Sequence, residues 1–398
     1  MQVMTSLHKL LLTHCPTIHR ARLAALMINV GALVQGQKLT VTALGRAAER
    51  TSTPKHAIKQ SDRLIGNVHL TQERGLLYQA VAKCLLTATP RPVILVDWSD
   101  YTYDRTYVLL RAAVPVGGRA LTLYEEVHPR RAYGNTAVHR AFLDTLQTYM
   151  PRNLIPTLVT DAGFIGPWFA DVRSRGWQFV GRIRKNLMYR DPATTEWQRC
   201  ETLYAKATRQ PRYHGPIELA RKRPFACHLY LVRQPPQGRH ERTAAGQRSA
   251  RQVGTPHALR ETSPWLLVTS LDPALHTPQY LMRLYKTRMQ IEQAFRDIKN
   301  TRAGFALRES RSRSPQRLAN LLLVGMLAGF ALWLVGRLAI HHRVHYQLQA
   351  NTVRKQHVLS AFFIACQLSQ HHRLPSHHTW FEDALALLHL DSARQSSP

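Results

Sequence analysis

The longest uncharged stretch of the chain is the feature that most limits its fold. From Leu318 to Gly336, 19 residues include no charged side chain and a single polar amide, Asn320. A helix of that length can span a bilayer. A helix buried on all sides of a large domain is equally apolar. Gly325 and Gly329 suit close packing against other helices, so we favour a buried core helix and expect no membrane partner.

The net charge indicates the class of partner. The 398 residues include 54 Lys and Arg against 24 Asp and Glu, which gives a net charge of +30 with neutral histidines. A surface this basic attracts polyanions, and nucleic acid is the leading candidate. Apolar residues make up 44% of the chain, enough to fill a core, so a disordered protein is excluded.

The cysteines and the start of the chain bear on the cell compartment. Five cysteines are scattered without a Cys-x-x-Cys pair, which excludes a disulfide framework and a zinc ribbon and is typical of a reducing compartment. Residues 1–9 lack the basic start and apolar run of a signal peptide. We therefore expect a cytoplasmic protein.

Residues 1–70 are basic and show helical spacing. Apolar residues recur at helical intervals over Arg20–Leu33, and Pro54 is well placed to open a helix over 55–64. Together with Thr42–Ala48, this predicts two short helices around a polar turn, as in a helix-turn-helix whose second helix enters the major groove of DNA. The alternative is an ordinary helical bundle with a solvated basic face. The segment is thus a candidate DNA-binding domain.

Within the next predicted segment, residues 71–188, the pattern changes from helix to strand at about residue 90. Apolar runs bounded by turn signals predict β-strands. The predicted strands are Pro92–Val96, Thr106–Val114, Ala120–Val127, Asn153–Thr160 and Gln178–Ile183, with a helix over Ala137–Tyr149. The turn signal at 115–118 joins the second and third strands into a meander. These elements predict an α/β fold with a mixed sheet and helices packed on it.

Three further segments complete the predicted domain organisation. Residues 189–262 are predicted to form a basic insertion. Residues 263–340 continue the interrupted domain, beginning with a strand at Trp265–Ser270. A single helix is predicted over Thr277–Asn300 in the same segment. Residues 341–398 predict a helical C-terminal region, which is a candidate for dimerisation.

Two acidic residues follow apolar runs in a chain that is poor in acids. Asp97 comes directly after Pro92–Val96, and Asp161 comes directly after another such run. If the two strands are neighbours, the carboxylates converge and need a cation between them. Mg²⁺ is held by one or two carboxylates together with water and phosphate oxygens. Each Asp alone could equally cap a turn, and Asp100 and Asp104 keep the first assignment open.

The helix predicted over 277–300 has a polar arc. At about 100° per residue, one arc of about 60° beside the apolar stripe contains Tyr285, Arg288, Glu292 and Lys299. A carboxylate between an aromatic hydroxyl and two cations suits a metal-bound phosphodiester. The alternative is a surface ion pair between Arg288 and Glu292. The opposite face is predicted to be solvated and carries Lys286, Gln290, Gln293 and Asp297.

Three sequence blocks in this order resemble those of a known family. They are Val-Asp-Trp-Ser-Asp at 96–100, Thr-Asp-Ala-Gly-Phe at 160–164, and Tyr285-x2-Arg288-x3-Glu292-x6-Lys299. They are similar to the blocks of bacterial insertion-sequence DDE transposases with the Tyr-Arg-Glu-Lys signature. That family includes the cut-and-paste transposases of transposons five and ten. Overall length and block spacing resemble the transposon-ten enzyme most.

The resemblance implies a fold and a mechanism. The catalytic domain would be RNase H-like, with a five-stranded mixed sheet interrupted by the insertion at 189–262, which would be β-rich. Asp97, Asp161 and Glu292 would hold two Mg²⁺ ions per active site for phosphoryl transfer, with Mn²⁺ able to substitute. The enzyme would cleave double-stranded DNA at transposon inverted-repeat ends through a hairpin and join the ends to target DNA. It would act as a homodimer in a synaptic complex.

The resemblance also assigns DNA contacts. Tyr285, Arg288 and Lys299 would hold phosphates near the 5′ terminus of the transposon. Trp265 resembles a family Trp that stacks on a base flipped from the hairpin, an interaction worth about 1–3 kcal/mol; a buried strand Trp is the alternative. Two other functions stay open. One is an inactive or domesticated transposase that only binds DNA, and the other is an RNase H-like nuclease without strand transfer.

Overall fold

A computed structural model describes residues 2–48, 53–87, 89–102, 104–235, 263–302, 304–350, 352–353, 356–371 and 379–396. Within them the chain forms two compact units. The first unit comprises Met1–Pro156 and Thr287–Ser397, and the second comprises Thr157–Lys286. Helices and strands occur in both units, which confirms the mixed α/β class.

The first unit begins with five helices. They are α1 (Gln2–His14), α2 (Arg20–Gly36), α3 (Val41–Ala47), α4 (Pro54–Ile65) and α5 (Val68–Leu86). The Thr40 hydroxyl caps α3 by accepting a hydrogen bond from the Ala43 amide at 3.2 Å. Pro54 lies in the first turn of α4, where its missing N–H has no helical partner to lose. The helices predicted over 20–33, 42–48 and 55–64 are confirmed.

Helices α3 and α4 approach each other closely. A Cβ atom added to Gly45 of α3 would lie 2.4 Å from the Cα atom of Ile58 in α4, so this crossing needs a residue without a side chain. The connecting residues 49–52 lie outside the described part of the chain. The exposed side of α4 carries the basic outer face that the sequence predicts, namely Lys55, His56, Lys59 and Arg63.

Three antiparallel strands follow in the first unit. They are β1 (Val93–Asp100), β2 (Tyr107–Pro115) and β3 (Ala120–Pro129), and α6 (Thr136–Tyr149) comes after them. Gly117 (φ 82°) and Gly118 (φ 93°) form the turn between β2 and β3, which confirms the predicted meander. The prediction that the first strand ends before Asp97 is wrong, because pairing with β2 continues through Asp97 to Asp100.

The second unit is built around a mixed sheet. Its elements are β4 (Thr157–Thr160), α7 (Gly166–Ser174), β5 (Gln178–Ile183), β6 (Met188–Arg190), β7 (Gln198–Arg199), β8 (Arg212–Leu219), β9 (Phe225–Val232), β10 (Trp265–Thr269) and α8 (Pro278–Lys286). The strand order is β4, β5, β10, β9, β8, β6, β7. Strands β4 and β5 are parallel, and the other neighbours are antiparallel.

Two strand predictions in this region had different outcomes. The strand at Gln178–Ile183 is confirmed to the residue. The strand predicted from Asn153 begins only at Thr157, because Pro156 lacks the N–H that a strand ladder needs. Of the predicted basic insertion, residues 236–262 lie outside the described part of the chain.

The chain completes the first unit with four helices. They are α9 (Met289–Lys299), α10 (Pro315–His341), α11 (Ala361–Gln370) and α12 (Trp380–Ser396). The prediction of one helix over 277–300 is wrong, because α8 and α9 are separate. At the start of α9 the Gln290 amide donates to the Thr287 carbonyl at 2.9 Å, which is the tight spacing of a turn rather than of an α-helix.

Helix α10 contains the long uncharged stretch and is the core of the first unit. Among the described residues it is the helix long and apolar enough to cross a bilayer, and 94% of its most apolar window is buried inside the protein. The amide nitrogen of Asn320, within the uncharged stretch, donates to the Ile65 carbonyl at 3.0 Å and to the Thr71 hydroxyl at 3.1 Å. A Cβ atom on Gly336 would lie 1.9 Å from the Ala361 carbonyl oxygen, so α11 packs directly on it.

Candidate active site

Asp97 lies within β1, opposite Arg111 of β2. Its side chain is only 12% exposed. One carboxylate oxygen, Oδ1, accepts a hydrogen bond from the Trp98 amide at 2.8 Å. The other, Oδ2, accepts one from Nη1 of Arg288 at 3.2 Å. Asp97 is therefore a largely buried carboxylate with a cationic partner, rather than a turn cap.

Arg288 joins Asp97 to Glu292. While its Nη1 atom contacts Asp97, its Nη2 atom donates to Oε1 of Glu292 at 2.6 Å. The Arg288 side chain is 15% exposed, so the interaction is stronger than that of a solvated surface pair. The Arg288–Glu292 pair expected from the spacing is present, and a second carboxylate joins it. Two acids from distant parts of the sequence thus share one guanidinium group.

Lys299 lies at the end of α9 and also contacts β1. Its ammonium group donates to the Ser99 hydroxyl at 2.7 Å and to the Asp100 carbonyl at 3.3 Å. Burial, together with the like charges of Arg308 and Arg111, lowers the pKa of Lys299 to about 8. At neutral pH this lysine is a partly desolvated cation that contacts the strand on which Asp97 lies.

A buried ion pair lies beneath α9. Nε of Arg111 in β2 donates to the Glu125 carboxylate in β3 at 2.8 Å, and the two side chains are each 1% exposed. The Tyr78 hydroxyl donates to the same carboxylate at 3.3 Å. The Arg111 guanidinium lies 4.8 Å from the centre of the Phe295 ring of α9, a cation–π distance. The pair links α9 to the strand that lies beside Asp97.

The face of α9 predicted to be solvated is instead a contact surface. Oε1 of Gln290 accepts hydrogen bonds from the amides of Val116 and Gly118 in the β2–β3 turn, at 3.2 and 3.1 Å. Asp297 forms an ion pair with Arg119, which follows the same turn. The solvated-face prediction is therefore wrong for Gln290 and Asp297, because a helical wheel cannot show that a second element packs there.

Sequence reasoning missed an aromatic group behind Asp97. Nε1 of Trp98 donates to Nε2 of His139 in α6 at 2.9 Å. The rings of His128 and Tyr133 lie 5.7 and 5.4 Å from the Trp98 ring. This packing fixes the backbone directly after Asp97. The Asp-Trp dipeptide was visible in the sequence, but its histidine partner was not.

Three predicted site residues lie in the second unit. Asp161 directly follows β4, and its Oδ1 atom accepts a hydrogen bond from the Gly163 amide at 2.7 Å. Tyr285 of α8 is 4% exposed. Its ring meets that of Trp265 edge-on at a centroid distance of 5.1 Å, and the guanidinium of Arg182 lies 5.6 Å from the Trp265 ring centre. Trp265 and Tyr285 therefore contact each other.

The donor chemistry of the acidic pair fits a hard divalent cation. Asp97 and Glu292 offer carboxylate oxygens, which Mg²⁺ prefers, and both already converge on one cationic group. Within the described residues, no group of three or more His, Cys, Asp or Glu side chains is arranged to hold a metal. Asp97 and Glu292 alone therefore do not form a complete metal site.

The family model for the transposase DDE domain matches residues 89–328, which is more than half of the chain. The chain belongs to the DDE transposase family. The matched segment of the transposase contains all seven predicted site residues, in both units. Members of this family use divalent metal ions, and their reactions are those of transposition and DNA recombination.

Comparison with individual proteins adds little to the family assignment. No curated protein matches the transposase by sequence. Among solved structures, one match is a cryo-EM structure of the piggyBac transposase synaptic complex with hairpin DNA. The alignment covers 93% of this chain and 76% of that chain, at 12% identity and a TM-score of 0.39.

Proposed function

We propose that this transposase performs cut-and-paste transposition of an insertion sequence, cleaving DNA at inverted-repeat ends and joining the ends to target DNA. Asp97, Asp161 and Glu292 are the acidic residues of its active site. The observation that supports this most is the sharing of the Arg288 guanidinium by Asp97 and Glu292. Two acids nearly two hundred positions apart are brought to one cation within the segment that matches the family.

The acidic residues would hold the divalent ions, two Mg²⁺ per site, with Mn²⁺ able to replace them. When bound, such ions activate an attacking oxygen and stabilise the leaving oxygen of a phosphodiester. Asp97 and Glu292 are held in place for this role by Arg288 and by the packing of α9 on β2. We assign Asp161 the third carboxylate on the basis of its block and its place directly after β4.

The remaining predicted residues would hold DNA. Arg288 and Lys299 are partly buried cations beside the acidic pair, suited to phosphate oxygens near the reacting bond. Tyr285 would support them, and Trp265 would stack on a base flipped out of the hairpin. Partial exposure of Trp265 is consistent with that role.

The reaction would follow the order implied by the family. Water cleaves one strand at the transposon end and frees a 3′-hydroxyl. That hydroxyl attacks the opposite strand to form a hairpin, a second water opens the hairpin, and the new 3′-hydroxyl attacks target DNA. Each step is an in-line attack of an oxygen on a phosphodiester, so one set of residues serves all four.

The proposal extends to the architecture and setting of the enzyme. An RNase H-like catalytic domain over 71–188 and 263–340, interrupted by the insertion at 189–262, would carry the chemistry. Residues 1–70 would recognise the ends, and 341–398 would contribute to a synaptic homodimer. The enzyme would work on DNA in the bacterial cytoplasm, and the Tyr-Arg-Glu-Lys signature would relate it most nearly to the transposon-ten type.

A cleavage assay tests the chemistry. The substrate is a plasmid that carries the DNA flanking this gene on both sides, incubated with the full chain and Mg²⁺. We expect the wild type to release the element, Asp161→Ala to be inactive, and the exposed-carboxylate control Glu196→Ala to match the wild type. Equal cleavage by wild type and Asp161→Ala would contradict the mechanism.

The same assay separates the two alternatives. Joined target products identify a transposase, whereas cleavage without joining would identify a nuclease that lacks strand transfer. If the wild type binds the DNA but never cleaves it, the chain is an inactive or domesticated DNA-binding derivative.

A further inference from the structure

A cleft beside the helix-turn-helix pair is outside the active site. It has a volume of about 520 Å³. The start of α3 and the side of α4 form one wall, and the segment between α9 and α10 forms the other. We call it the loop cleft, and its lining residues include Thr40, Thr42, Ile58, Ser310, Arg311 and Arg313.

The two walls of the loop cleft are fixed to each other. The Leu39 amide, just before α3, donates to the Phe305 carbonyl at 2.7 Å. Lys38 pairs with Glu309 at 3.5 Å, and Arg317 of α10 forms an ion pair with Asp62 of α4. The loop after α9 therefore holds a set position against the helices predicted to read DNA.

The loop cleft is positively charged. Its acidic side chains, Asp62 and Glu309, are each paired with a cation. Arg311 and Arg313 are exposed and line the same cleft two positions apart. Two like charges on one three-residue segment favour the binding of an anion. Hydroxyl groups of Thr42, Ser310 and Ser312 add neutral hydrogen-bond donors.

We propose that the loop cleft binds the sugar-phosphate backbone of duplex DNA, with Arg311 and Arg313 contacting phosphates. Arginine side chains and hydroxyl groups are the usual donors to DNA phosphates. The exposed side of α4, next to the cleft, carries Lys55, Lys59 and Arg63. One duplex can therefore contact both this side of α4 and the loop cleft. The identity of that duplex as a transposon end rests on the proposed function.

This site gives the loop a role that the signature residues do not have. The loop leaves α9 directly after Lys299 and ends at Pro315, where α10 begins. A duplex bound in the loop cleft therefore contacts the chain segment that continues directly from the acidic pair. Backbone contacts of this type fix register without reading sequence.

Binding of a DNA duplex of about 30 base pairs and mixed sequence, followed by fluorescence anisotropy between about 50 and 200 mM salt, tests the site. The full chain is compared with Arg311→Ala/Arg313→Ala. We expect about tenfold weaker binding and a salt slope less steep by about 1.8, because two phosphate contacts are lost. The control Arg91→Ala/Arg152→Ala removes the same charge at exposed positions of the first unit and should keep the wild-type slope.

A conservative variant and an RNA duplex make the test specific. Arg311→Lys/Arg313→Lys keeps both charges and should bind within about threefold of the wild type. Wild-type affinity and slope in the double alanine variant would overturn the proposal, as would an equal loss in the Arg91→Ala/Arg152→Ala control. If the double alanine variant lost affinity only for an RNA duplex of the same sequence, and kept it for the DNA duplex, the proposal would also be overturned.

The outcome is separable from that of the proposed function. Arginine-dependent binding by a chain that never cleaves DNA would support the loop cleft and count against the chemistry. Normal metal-dependent cleavage together with unchanged binding by the double alanine variant would support the chemistry and reject the loop cleft.

Discussion

The guanidinium of Arg288 lies 3.2 Å from the Asp97 carboxylate, although 191 positions separate the two residues in the chain. The same group also contacts Glu292. One side-chain cation therefore offsets half of the negative charge of the two carboxylates. We expect a divalent ion that binds these acids to compete with Arg288 for their oxygens.

Replacing this cation should strengthen metal binding in the absence of DNA. In Arg288→Gln the two carboxylates lose their positive partner and attract a divalent ion more strongly. We expect the Mn²⁺ affinity of the DNA-free protein to rise by about three- to tenfold, a modest factor because the site is partly solvated. Electron paramagnetic resonance of free Mn²⁺ measures it.

The control for that experiment lies on the same helix. Arg296→Gln removes an exposed charge from α9 and should leave Mn²⁺ affinity close to that of the wild type. An unchanged affinity in Arg288→Gln, or an equal rise in both variants, would show that Arg288 is not the competing cation.

Lys299 should make DNA binding sensitive to pH near 8. Its lowered pKa, about 8, means that it is mostly charged at pH 7 and mostly neutral at pH 9, where an ordinary lysine keeps its proton. The affinity advantage of the wild type over Lys299→Ala should therefore be largest at pH 7 and shrink toward pH 9. Lys299→Arg should keep its affinity across this range.

The lowered pKa of Lys299 also makes the stability of the protein depend on pH, but in the opposite direction to its DNA affinity. Between pH 8 and the usual lysine pKa, the unfolded chain holds this proton more tightly than the folded chain, so the Lys299 contribution to the free energy of unfolding rises with pH. Denaturant titrations of wild type and Lys299→Met at pH 7 and pH 9 measure it. A difference between the two proteins that is independent of pH would contradict the lowered pKa.

Gly45 should be intolerant of a side chain. A methyl group there would lie 2.4 Å from the Ile58 Cα atom, so Gly45→Ala should push α3 from α4 and lower the free energy of unfolding by about 1–3 kcal/mol. Binding of duplex DNA should weaken with it. Gly31→Ala in α2 is the matched control, because no described atom beyond its own stretch of helix lies within 4 Å of the added methyl group. It should stabilise the helix by about 1 kcal/mol.

The Arg111–Glu125 pair should be costly to break from one side. Burial raises the pKa of Glu125, and Arg111 opposes that rise. Arg111→Leu leaves the acid buried without its cation and should cost about 3–5 kcal/mol in urea unfolding. The double variant Arg111→Leu/Glu125→Leu should recover much of this loss. Additive effects of the two single substitutions would contradict a direct interaction.

Local patterns were sufficient to predict much of the fold. The apolar runs behind β2, β3 and β5 and the helical spacing of α2 and α4 agree with the structure, because each element buries a periodic face. The break at Thr287 had no local signal, since the surrounding residues include neither glycine nor proline and tertiary packing decides it. The continuation of β1 through Asp97 likewise depends on pairing with β2, which no single segment encodes.

The candidate site likewise has a part that the sequence indicates and a part that it does not. Motif order selects Asp97, Asp161 and Glu292 as candidates, and the structure brings Asp97 and Glu292 to one cation. The sharing of Arg288 by two acids, the anchoring of Gln290 on the β2–β3 turn and the His139 partner of Trp98 all join residues far apart in sequence. Such contacts are properties of the packed chain and leave no periodic trace.

The Leu39–Phe305 hydrogen bond has a consequence for how enzymes of this kind diversify. The Leu39 side chain also packs against α10. A Cβ atom added to Gly325 would lie 3.0 Å from the Cδ2 atom of Leu39. A segment from a distant relative that replaced residues 1–70 would need an N–H group and an apolar side chain of similar size at position 39 to keep both contacts. Exchange of the N-terminal helices alone is therefore constrained by the α10 core, and sequence change in residues 1–70 should be tolerated most readily on the exposed side of α4.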